Sequence, residues 1–442
     1  MTKIIILVTS DRLHDSFVKA NLFDEISANN SVQIINGNDL IDFKKSILAN
    51  MISRPIVLLR HKISKFTLDY FTYKFHQNNI SFETRLRRFA NLDSNLKFTT
   101  LNFMKTKNFR LLILHFLHLE CIHYIASFFL INISTWNFDI NKFMKKMDAS
   151  HLVILSGGSF SNIENTFMRY SKKHNIKIGL IVDNWDNLSS KSLFFYKPDL
   201  VGVWGQQMLN DAKEIQYFEE YRIRIIGSSR IDRTFSSKLE KSSNSNLLFV
   251  GSGRSHTNEL DILKMANGIA SKFNAKIIYR PHPLFEADPK LINEIASLQN
   301  VAYSSDFDGY DNFQRPRFYS SNSIKSLVND ILNCNFTLAF HTTVIIESLY
   351  LGRPVLACSF SDDIYFRNGN VWDSYKHLKD LRETEGLREI KDIAEFDESL
   401  EIYIKSYFKN TLTPNYIPNI IPTFKDNYKN RLNEFLDELL AF

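Results

Sequence analysis

Cysteine is scarce in this chain. Only three of the 442 residues are cysteine, and Cys121, Cys334 and Cys358 lie far apart in the sequence. Three scattered cysteines are too few for a disulfide framework and are not spaced like the ligands of a structural zinc ion. We therefore expect a protein of the reducing cytoplasm, with no bound metal of this kind.

Glycine is also sparse, and a strong excess of charge of either sign is absent. With 14 glycines the chain has no complete dinucleotide fingerprint: the GSG at 251–253 lacks the full spacing, so no NAD cofactor is expected. The 54 Lys and Arg only slightly exceed the 48 Asp and Glu, and no arginine-rich arm or recognition helix is present. This balance excludes a nucleic-acid reader and suits an anionic ligand or a membrane surface.

The first residues, MTKIIILVTSDR, lack the features of a signal peptide. One lysine precedes an apolar run of strand length, and no small-residue cleavage site follows it. We interpret this run as a first β-strand.

Short apolar runs recur along the chain with helical segments between them. This alternation is typical of parallel sheets covered by helices, so we predict an α/β protein. The runs lie at 3–10, 55–60, 151–157, 177–183, 200–205 and 222–227, and again at 247–251, 275–280, 301–305, 336–340 and 354–358.

A polar stretch at 241–246 divides the runs into two groups. A chain of this length with 44% hydrophobic residues can bury two cores. We predict two Rossmann-like βαβ domains, 1–240 and 246–400, facing each other across a ligand-binding cleft. The remaining segment, 401–442, ends in a predicted helix that could pack back on the first domain.

Residues 100–134 interrupt the βα pattern with a long apolar stretch that contains Glu120 and three histidines. The stretch has the length of a membrane span, but these polar residues would be costly at a bilayer centre. Two interpretations stay open: a buried helix of the first domain, or a helix in the membrane surface, which would make the protein peripheral on the inner face of the cytoplasmic membrane. Nearby cations would then face anionic lipid: Arg85, Arg87, Arg88, Lys105, Lys107 and Arg110.

The run IIYRPHP at 277–283 ends a strand with a cation and an imidazole between two prolines. The prolines fix the backbone, and so the directions of Arg280 and His282. Arginine can bind a phosphate through two hydrogen bonds and histidine through one, so a phosphate site is predicted. An ordinary proline-terminated strand with a surface histidine is the open alternative.

A second polar strand exit follows in FTLAFHTTVIIESLYLGRPVLACS. Thr342 and Thr343 stand where a helix is predicted to begin, a place that favours anions, and His341 precedes them. Glu347, one turn further, could reach the hydroxyls of a ribose. Alternatively the threonines are helix caps and Glu347 only complements the helix dipole.

A glycine turn follows the first strand of the second domain, in LLFVGSGRSHTNELDIL. Gly251 and Gly253 would let a substrate phosphate approach the backbone, with Arg254 beside it.

These motifs resemble the nucleotide-binding half of GT-B glycosyltransferases that build bacterial surface polysaccharides. YRPHP, the threonine-capped helix with its glutamate, and LGRPV are closest to enzymes that use CMP-activated ulosonic acids such as Kdo and sialic acids, and CDP-glycerol and CDP-ribitol polyolphosphate transferases are similar. The resemblance covers about residues 245–360, and it departs from the usual Ser-Ser or Thr-Ser pair at His341-Thr342-Thr343.

The resemblance implies roles for single residues. His282 would contact the donor phosphate, Thr342 and Thr343 would anchor it, and Glu347 would hold the ribose. No DxD metal motif is placed after a strand, which fits a site that neutralises its leaving phosphate with side chains and helix ends, so we expect no metal and no cofactor.

The first domain would then supply the acceptor side, where IVDNWDNLSSK follows a strand at 181–191. Asp183 and Asp186 are our candidate catalytic groups, with Asn184 and Lys191 as hydrogen-bonding or charged partners and Trp185 as a sugar-stacking face. An Asx-rich turn with Trp185 in the core is the alternative, and it is favoured for Asn187 and Ser189.

Other strand exits could share this side of the cleft. Gly157 and Gly158 would let an acceptor approach bare backbone, and Asp11 follows the first strand. As general base we favour Asp183 or Asp186 over Asp11. If the reaction passes through a covalent intermediate, one of these aspartates is the nucleophile.

The resulting hypothesis is a metal-independent glycosyltransferase that moves a sugar, with a CMP-ulosonic acid as favoured donor, to a glycan or lipid-linked glycan acceptor. Three alternatives stay open. They are a CDP-glycerol or CDP-ribitol type polyolphosphate transferase, a sugar-nucleotide epimerase, and a scaffold that binds a nucleotide sugar without turnover.

Overall fold

The computed structural model describes residues 2–10, 13–36, 120–157, 163–191, 193–232, 245–251, 256–281, 289–304, 321–340, 342–360, 372, 375–379, 381–408 and 417–442. The strands in these ranges are β1 (Lys3–Val8), β2 (Ser31–Asn36), β3 (His151–Ser156), β4 (Lys177–Val182), β5 (Leu200–Val203), β6 (Ile223–Ile225), β7 (Asn246–Val250), β8 (Lys276–Arg280), β9 (Val301–Tyr303), β10 (Phe336–Ala339), β11 (Val355–Cys358) and β12 (Leu387–Ile390).

The α-helices of the same ranges are α1 (Asp24–Asn29), α2 (Glu120–Thr135), α3 (Phe138–Met147), α4 (Ile163–Lys173), α5 (Gln206–Glu214), α6 (Ser229–Asp232), α7 (His256–Lys272), α8 (Pro289–Ala296), α9 (Ser321–Leu332), α10 (Val344–Tyr350), α11 (Lys376–Lys379), α12 (Phe396–Tyr407) and α13 (Tyr428–Leu440). Single π-helical turns lie at His14–Val18 and Asn187–Lys191, and short 3₁₀ turns at Glu220–Arg222 and Ile393–Glu395.

The strands form two parallel six-stranded sheets, in the orders β2-β1-β3-β4-β5-β6 and β12-β11-β10-β7-β8-β9. Strands β3, β5, β10 and β11 are buried along their whole length, as expected where helices cover both faces of a parallel sheet. The predicted α/β class with two Rossmann-like domains is therefore confirmed. Of the predicted runs, the one at 55–60 lies outside the described residues.

The chain divides into two compact units, residues 1–229 with 424–442 and residues 230–423. Each unit contains one sheet. The division falls between Ser229 and Arg230, ahead of the polar stretch at 241–246.

The core of the first unit includes residues from the far end of the chain. Tyr428, Leu432, Phe435 and Leu439 of α13 are buried in one cluster with β1 and β3. Gly179 of β4 makes this approach possible, because a Cβ there would lie 2.7 Å from Leu439 Cδ2.

Polar contacts also fix α13 to β6. The Arg431 Nε donates to the Ile226 carbonyl at 2.9 Å, and the Arg224 Nε donates to the Glu438 Oε2 at 2.8 Å. Gly227 follows with φ +79°, in the left-handed region that favours glycine.

The core of the second unit lies around β7, β8 and β10. Phe249, Tyr279, Phe336 and Tyr403 belong to its buried cluster. Arg353, from the LGRPV motif, is buried and caps α9: its Nη2 donates to the Leu332 carbonyl at 2.8 Å.

Candidate active site

Polar residues follow three neighbouring strands of the first sheet. Thr9 comes after β1, Gly157 after β3 and Asp183 after β4. Because these strands are parallel and adjacent, their carboxyl ends meet at one edge of the sheet. The Asp183 N–H donates to the Ser156 carbonyl at 3.0 Å, and the Gly157 N–H donates to the Thr9 Oγ1 at 3.4 Å, so the three exits are connected.

Asp183 and Asn184 lie within this edge. Asp183 is 1% exposed, and its Oδ1 accepts a 3.4 Å hydrogen bond from the Ser229 hydroxyl. The Asn184 Nδ2 donates to the Gly157 carbonyl at 3.2 Å. The structure thus brings together three residues that the sequence nominated, Asp183, Asn184 and Gly157.

The next residues form a compact turn. The Ser190 N–H and hydroxyl both donate to the Asp186 carbonyl, at 3.1 and 2.8 Å, which holds the π-helical turn Asn187–Lys191. Trp185 is 3% exposed, as is usual for a core tryptophan. The catalytic role of Asp186 and the stacking role of Trp185 stay predictions, as does the role of Lys191, whose side chain lies outside the described residues.

One carboxyl of this edge was not predicted from the sequence. Glu164 stands in the first turn of α4, the helix that follows β3, and is 3% exposed. Burial raises its pKa to about 7, and the Ser156 hydroxyl lowers the pKa by a smaller amount. Its Oε1 is enclosed and has no hydrogen-bond partner among the described residues.

Asn187 is a second residue that the sequence did not nominate for the site. Its side chain is fully buried, and its Nδ2 donates to the carbonyl of Ser156, the residue whose hydroxyl acts on Glu164, at 3.3 Å. The Oδ1 of Asn187 also lacks a hydrogen-bond partner in the described part of the chain. Two enclosed acceptors beside one strand end can receive hydrogen bonds from hydroxyl groups.

In the second unit, Arg280 ends β8 as predicted, but its guanidinium is already engaged. The Nη1 donates to the Asp330 Oδ2 at 2.7 Å and to the Ser304 Oγ at 2.8 Å. Since Asp330 neutralises this cation, a phosphate would have to compete with a carboxylate for it. The donor-binding role of Arg280 stays a prediction.

Glu347 is likewise held inside the second unit. Its carboxylate forms an ion pair with the Arg230 guanidinium, and both side chains are at least nine-tenths buried. The preceding helix start is as predicted: α10 begins at Val344, after Thr342 and Thr343. The Thr342 Oγ1 accepts a long 3.4 Å hydrogen bond from the Val344 N–H, whereas Thr343, the N-cap residue of α10, makes no side-chain cap hydrogen bond.

Of the remaining nominated residues, only one lies within the described part of the chain. Gly251 is buried after β7, and its N–H donates to the Arg280 carbonyl at 2.9 Å. The others lie outside the described residues: Asp11, Gly158, Gly253, Arg254, His282 and His341. Among the described residues, no group of three or more His, Cys, Asp or Glu could hold a metal ion.

Comparison with known proteins identifies the fold. No protein-family model and no curated protein sequence matches the chain. Among solved structures, the UDP-GlcNAc 2-epimerase from Methanocaldococcus jannaschii is similar with a TM-score of 0.51 at 13% identity, over 99% of this chain and 100% of that one. The chain has the GT-B fold.

Other similar GT-B structures differ in what they do. They include the UDP-GlcNAc 2-epimerase from Neisseria meningitidis bound to UDP-GlcNAc, with a TM-score of 0.49 and 9% identity over 100% of both chains. They also include the lipopolysaccharide outer core galactosyltransferase WaaB, with a TM-score of 0.38 and 12% identity over 71% of this chain and 81% of that one. At such identities the likeness shows the fold alone, and the reaction depends on the side chains of the site.

Proposed function

We propose that this GT-B protein is an enzyme that acts on a nucleotide sugar, with acid–base chemistry in its first unit. The observation that supports the proposal is the pair of buried carboxyls, Glu164 and Asp183, at the carboxyl edge of β3 and β4. A carboxyl whose pKa is about 7 exchanges its proton readily near neutral pH, which suits a general acid or base.

Within this proposal, glycosyl transfer is the leading reaction. Asp183 or Glu164 would accept the proton of an acceptor hydroxyl, and the Asn187 Oδ1 would orient a neighbouring hydroxyl. The second unit would bind the nucleotide, with His282 at the donor phosphate. The resemblance of its motifs favours a CMP-ulosonic acid as donor and a surface glycan as acceptor, and a CDP-polyol donor is the alternative.

Epimerisation of a nucleotide sugar is the second candidate. Two carboxyls in one unit could remove a proton from a ring carbon and return it to the other face, provided that the neighbouring anomeric C–O bond to the nucleotide breaks in the same step and re-forms afterwards, so no separate acceptor is needed. The same residues would then act on the donor alone.

Nucleotide binding should be measured first. Thermal unfolding of the protein with CMP, CDP, UDP, GDP and dTDP reports binding, because a ligand of the folded state raises the midpoint with its concentration. A shift with CMP or CDP that is lost in His282→Ala supports the cytidine donor and the phosphate role of His282. A shift with UDP, GDP or dTDP alone rejects the cytidine donor but keeps the nucleotide-sugar enzyme.

The reaction is then followed by NMR in D₂O with the nucleotide sugar that binds. Release of free nucleotide without deuterium in the sugar indicates transfer to water or acceptor, whereas deuterium at a ring carbon indicates epimerisation. Glu164→Gln should lower kcat by about 10²–10⁴-fold, and Glu398→Gln, at an exposed position, should not. Binding of the nucleotide sugar without either reaction would favour the remaining alternative, a scaffold that binds a nucleotide sugar without turnover.

A further inference from the structure

Helix α2 presents a row of large apolar side chains to solvent. The exposed fractions are 61% for Ile125, 65% for Phe128, 56% for Phe129, 46% for Ile133 and 63% for Trp136, which directly follows the helix. Spacings of three and four residues place these side chains on one face. Exposed apolar side chains scattered singly are normal, but a contiguous row marks an interaction surface.

The opposite side of α2 is fixed to the first unit, so the row cannot turn inward. Ser134 and Thr135 are buried. Arg169 of α4 donates from its Nη1 to the Asn132 carbonyl at 2.6 Å and to the Thr135 Oγ1 at 3.1 Å, and from its Nη2 to the Asn132 Oδ1 at 2.9 Å. These bonds set the rotation of the helix about its axis.

The end of the helix is fixed as well. The Asn137 N–H donates to the Tyr170 hydroxyl at 2.9 Å, and the Asn137 side chain caps the next helix, α3. Trp136, between these anchored residues, therefore stays at the surface.

The shape and residue types of this row fit a lipid surface. The row is a single convex ridge about 16 Å long, which can sink into the headgroup region of a bilayer while its other face stays on the protein. Tryptophan at one end is typical of side chains that sit at a membrane–water interface. No helix in the described ranges is long and apolar enough to cross a membrane.

Positive charge near the row favours anionic lipid. The exposed residues of α3 include Lys142, Lys145 and Lys146, against one acid, Asp139, in its first turn. The sequence ahead of α2 is strongly basic, since between residues 85 and 110 a single acid, Asp93, stands against Arg85, Arg87, Arg88, Lys97, Lys105, Lys107 and Arg110. Each such cation near an anionic surface adds to binding, and salt weakens this contribution.

We propose that the α2 face, defined as Ile125, Phe128, Phe129, Ile133 and Trp136, docks the protein on an anionic lipid surface. This inference does not depend on the proposed function, because it requires no nucleotide and no turnover. Docking of this kind would bring the protein to a lipid-linked acceptor.

The test is co-sedimentation of the full chain with vesicles of phosphatidylglycerol and phosphatidylethanolamine, compared with pure phosphatidylcholine. Phe128→Ser/Phe129→Ser should lower the partition coefficient at least tenfold, because two exposed phenyl rings no longer enter the lipid. The matched control is Ile393→Ser/Ile402→Ser, which removes two exposed apolar side chains (48% and 39%) of the second unit and should change binding less than twofold.

Tryptophan fluorescence provides a second measurement on the unmodified protein. Of the four tryptophans, Trp185, Trp204 and Trp372 are at most 3% exposed, so quenching by acrylamide reports mainly Trp136. Anionic vesicles should protect Trp136 from the quencher. Unchanged quenching, or equal binding of the phenylalanine variant and wild type, would overturn the proposal. So would a wild-type dimer that the same variant dissociates, because a second copy would then cover the face.

Discussion

Replacing Glu164 with glutamine should remove a destabilisation of the folded protein that grows as pH rises. The pKa of this carboxyl is about 7 in the folded chain, against an ordinary value of 4.5, because burial disfavours its charged form. Between these two pH values the folded state binds more protons than the unfolded state, so the free energy of unfolding falls as pH rises. The stability that the protonated Glu164 carboxyl preserves is complete below pH 4.5 and is lost as pH rises through about 7.

The size of the effect follows from the same two values. A difference of about 2.5 pH units corresponds to about 3 kcal/mol. Glutamine carries no proton that titrates in this range. The free energy of unfolding of Glu164→Gln should therefore rise by about 3 kcal/mol relative to that of wild type between about pH 4.5 and about pH 8.5. The absolute difference between the two proteins at any one pH also includes the changed hydrogen bonding, and therefore only its pH dependence tests the argument.

Urea unfolding at several pH values, followed by the fluorescence of the buried tryptophans, measures this difference. Glu398→Gln serves as the control, because its carboxylate is exposed and should give a curve parallel to wild type. If the curves of Glu164→Gln and wild type also stay parallel, the Glu164 carboxyl is ionised in the folded protein, and its proposed acid–base role loses its support.

Two further predictions concern stability. Arg230→Met should lower the free energy of unfolding by about 3–5 kcal/mol, because the buried Glu347 carboxylate loses its cation. In urea unfolding, the double variant Arg230→Met/Glu347→Leu should recover most of this free energy, whereas no loss in the single variant would refute a buried ion pair. Gly227→Ala should lower the free energy of unfolding by more than about 1 kcal/mol, since the φ of Gly227 is +79° and a Cβ there would lie 2.8 Å from Phe424 Cε2. Gly268→Ala, in an open helical position, should instead raise it by about 0.5–1 kcal/mol, and equal effects of the two substitutions would refute the strain at Gly227.

The central strands could be predicted from the sequence, and so could the edge strands β6 and β9, but the edge strands β2 and β12 could not. Strands such as β3 and β10 are buried on both faces and so appear as continuous apolar runs. Strands β2 and β12, SVQIIN and LREI, lie at sheet edges and are only partly buried, and no continuous apolar run marks them. Their pairing depends on neighbours that are distant in the sequence.

The candidate site shows the same limit. Parallel pairing places the residues after β3 and β4 together, so Gly157, Asp183 and Asn184 could be nominated from the sequence. Glu164 could not, because a glutamate in a first helical turn normally faces solvent and complements the helix dipole. Only tertiary packing buries it. The partners of Arg280 and Glu347 are also set by packing, since Asp330 and Arg230 come from other helices.

The position of α13 has a consequence for how the protein is made. The ribosome completes residues 1–229 long before it adds Leu432, Phe435 and Leu439, which belong to the core around β1 and β3. Until then the nascent first unit leaves part of its apolar core surface exposed. The second unit is continuous in sequence and can complete its core as soon as its own residues are synthesised. We therefore expect the second unit to fold before the first, which can complete its core only after α13 has been synthesised.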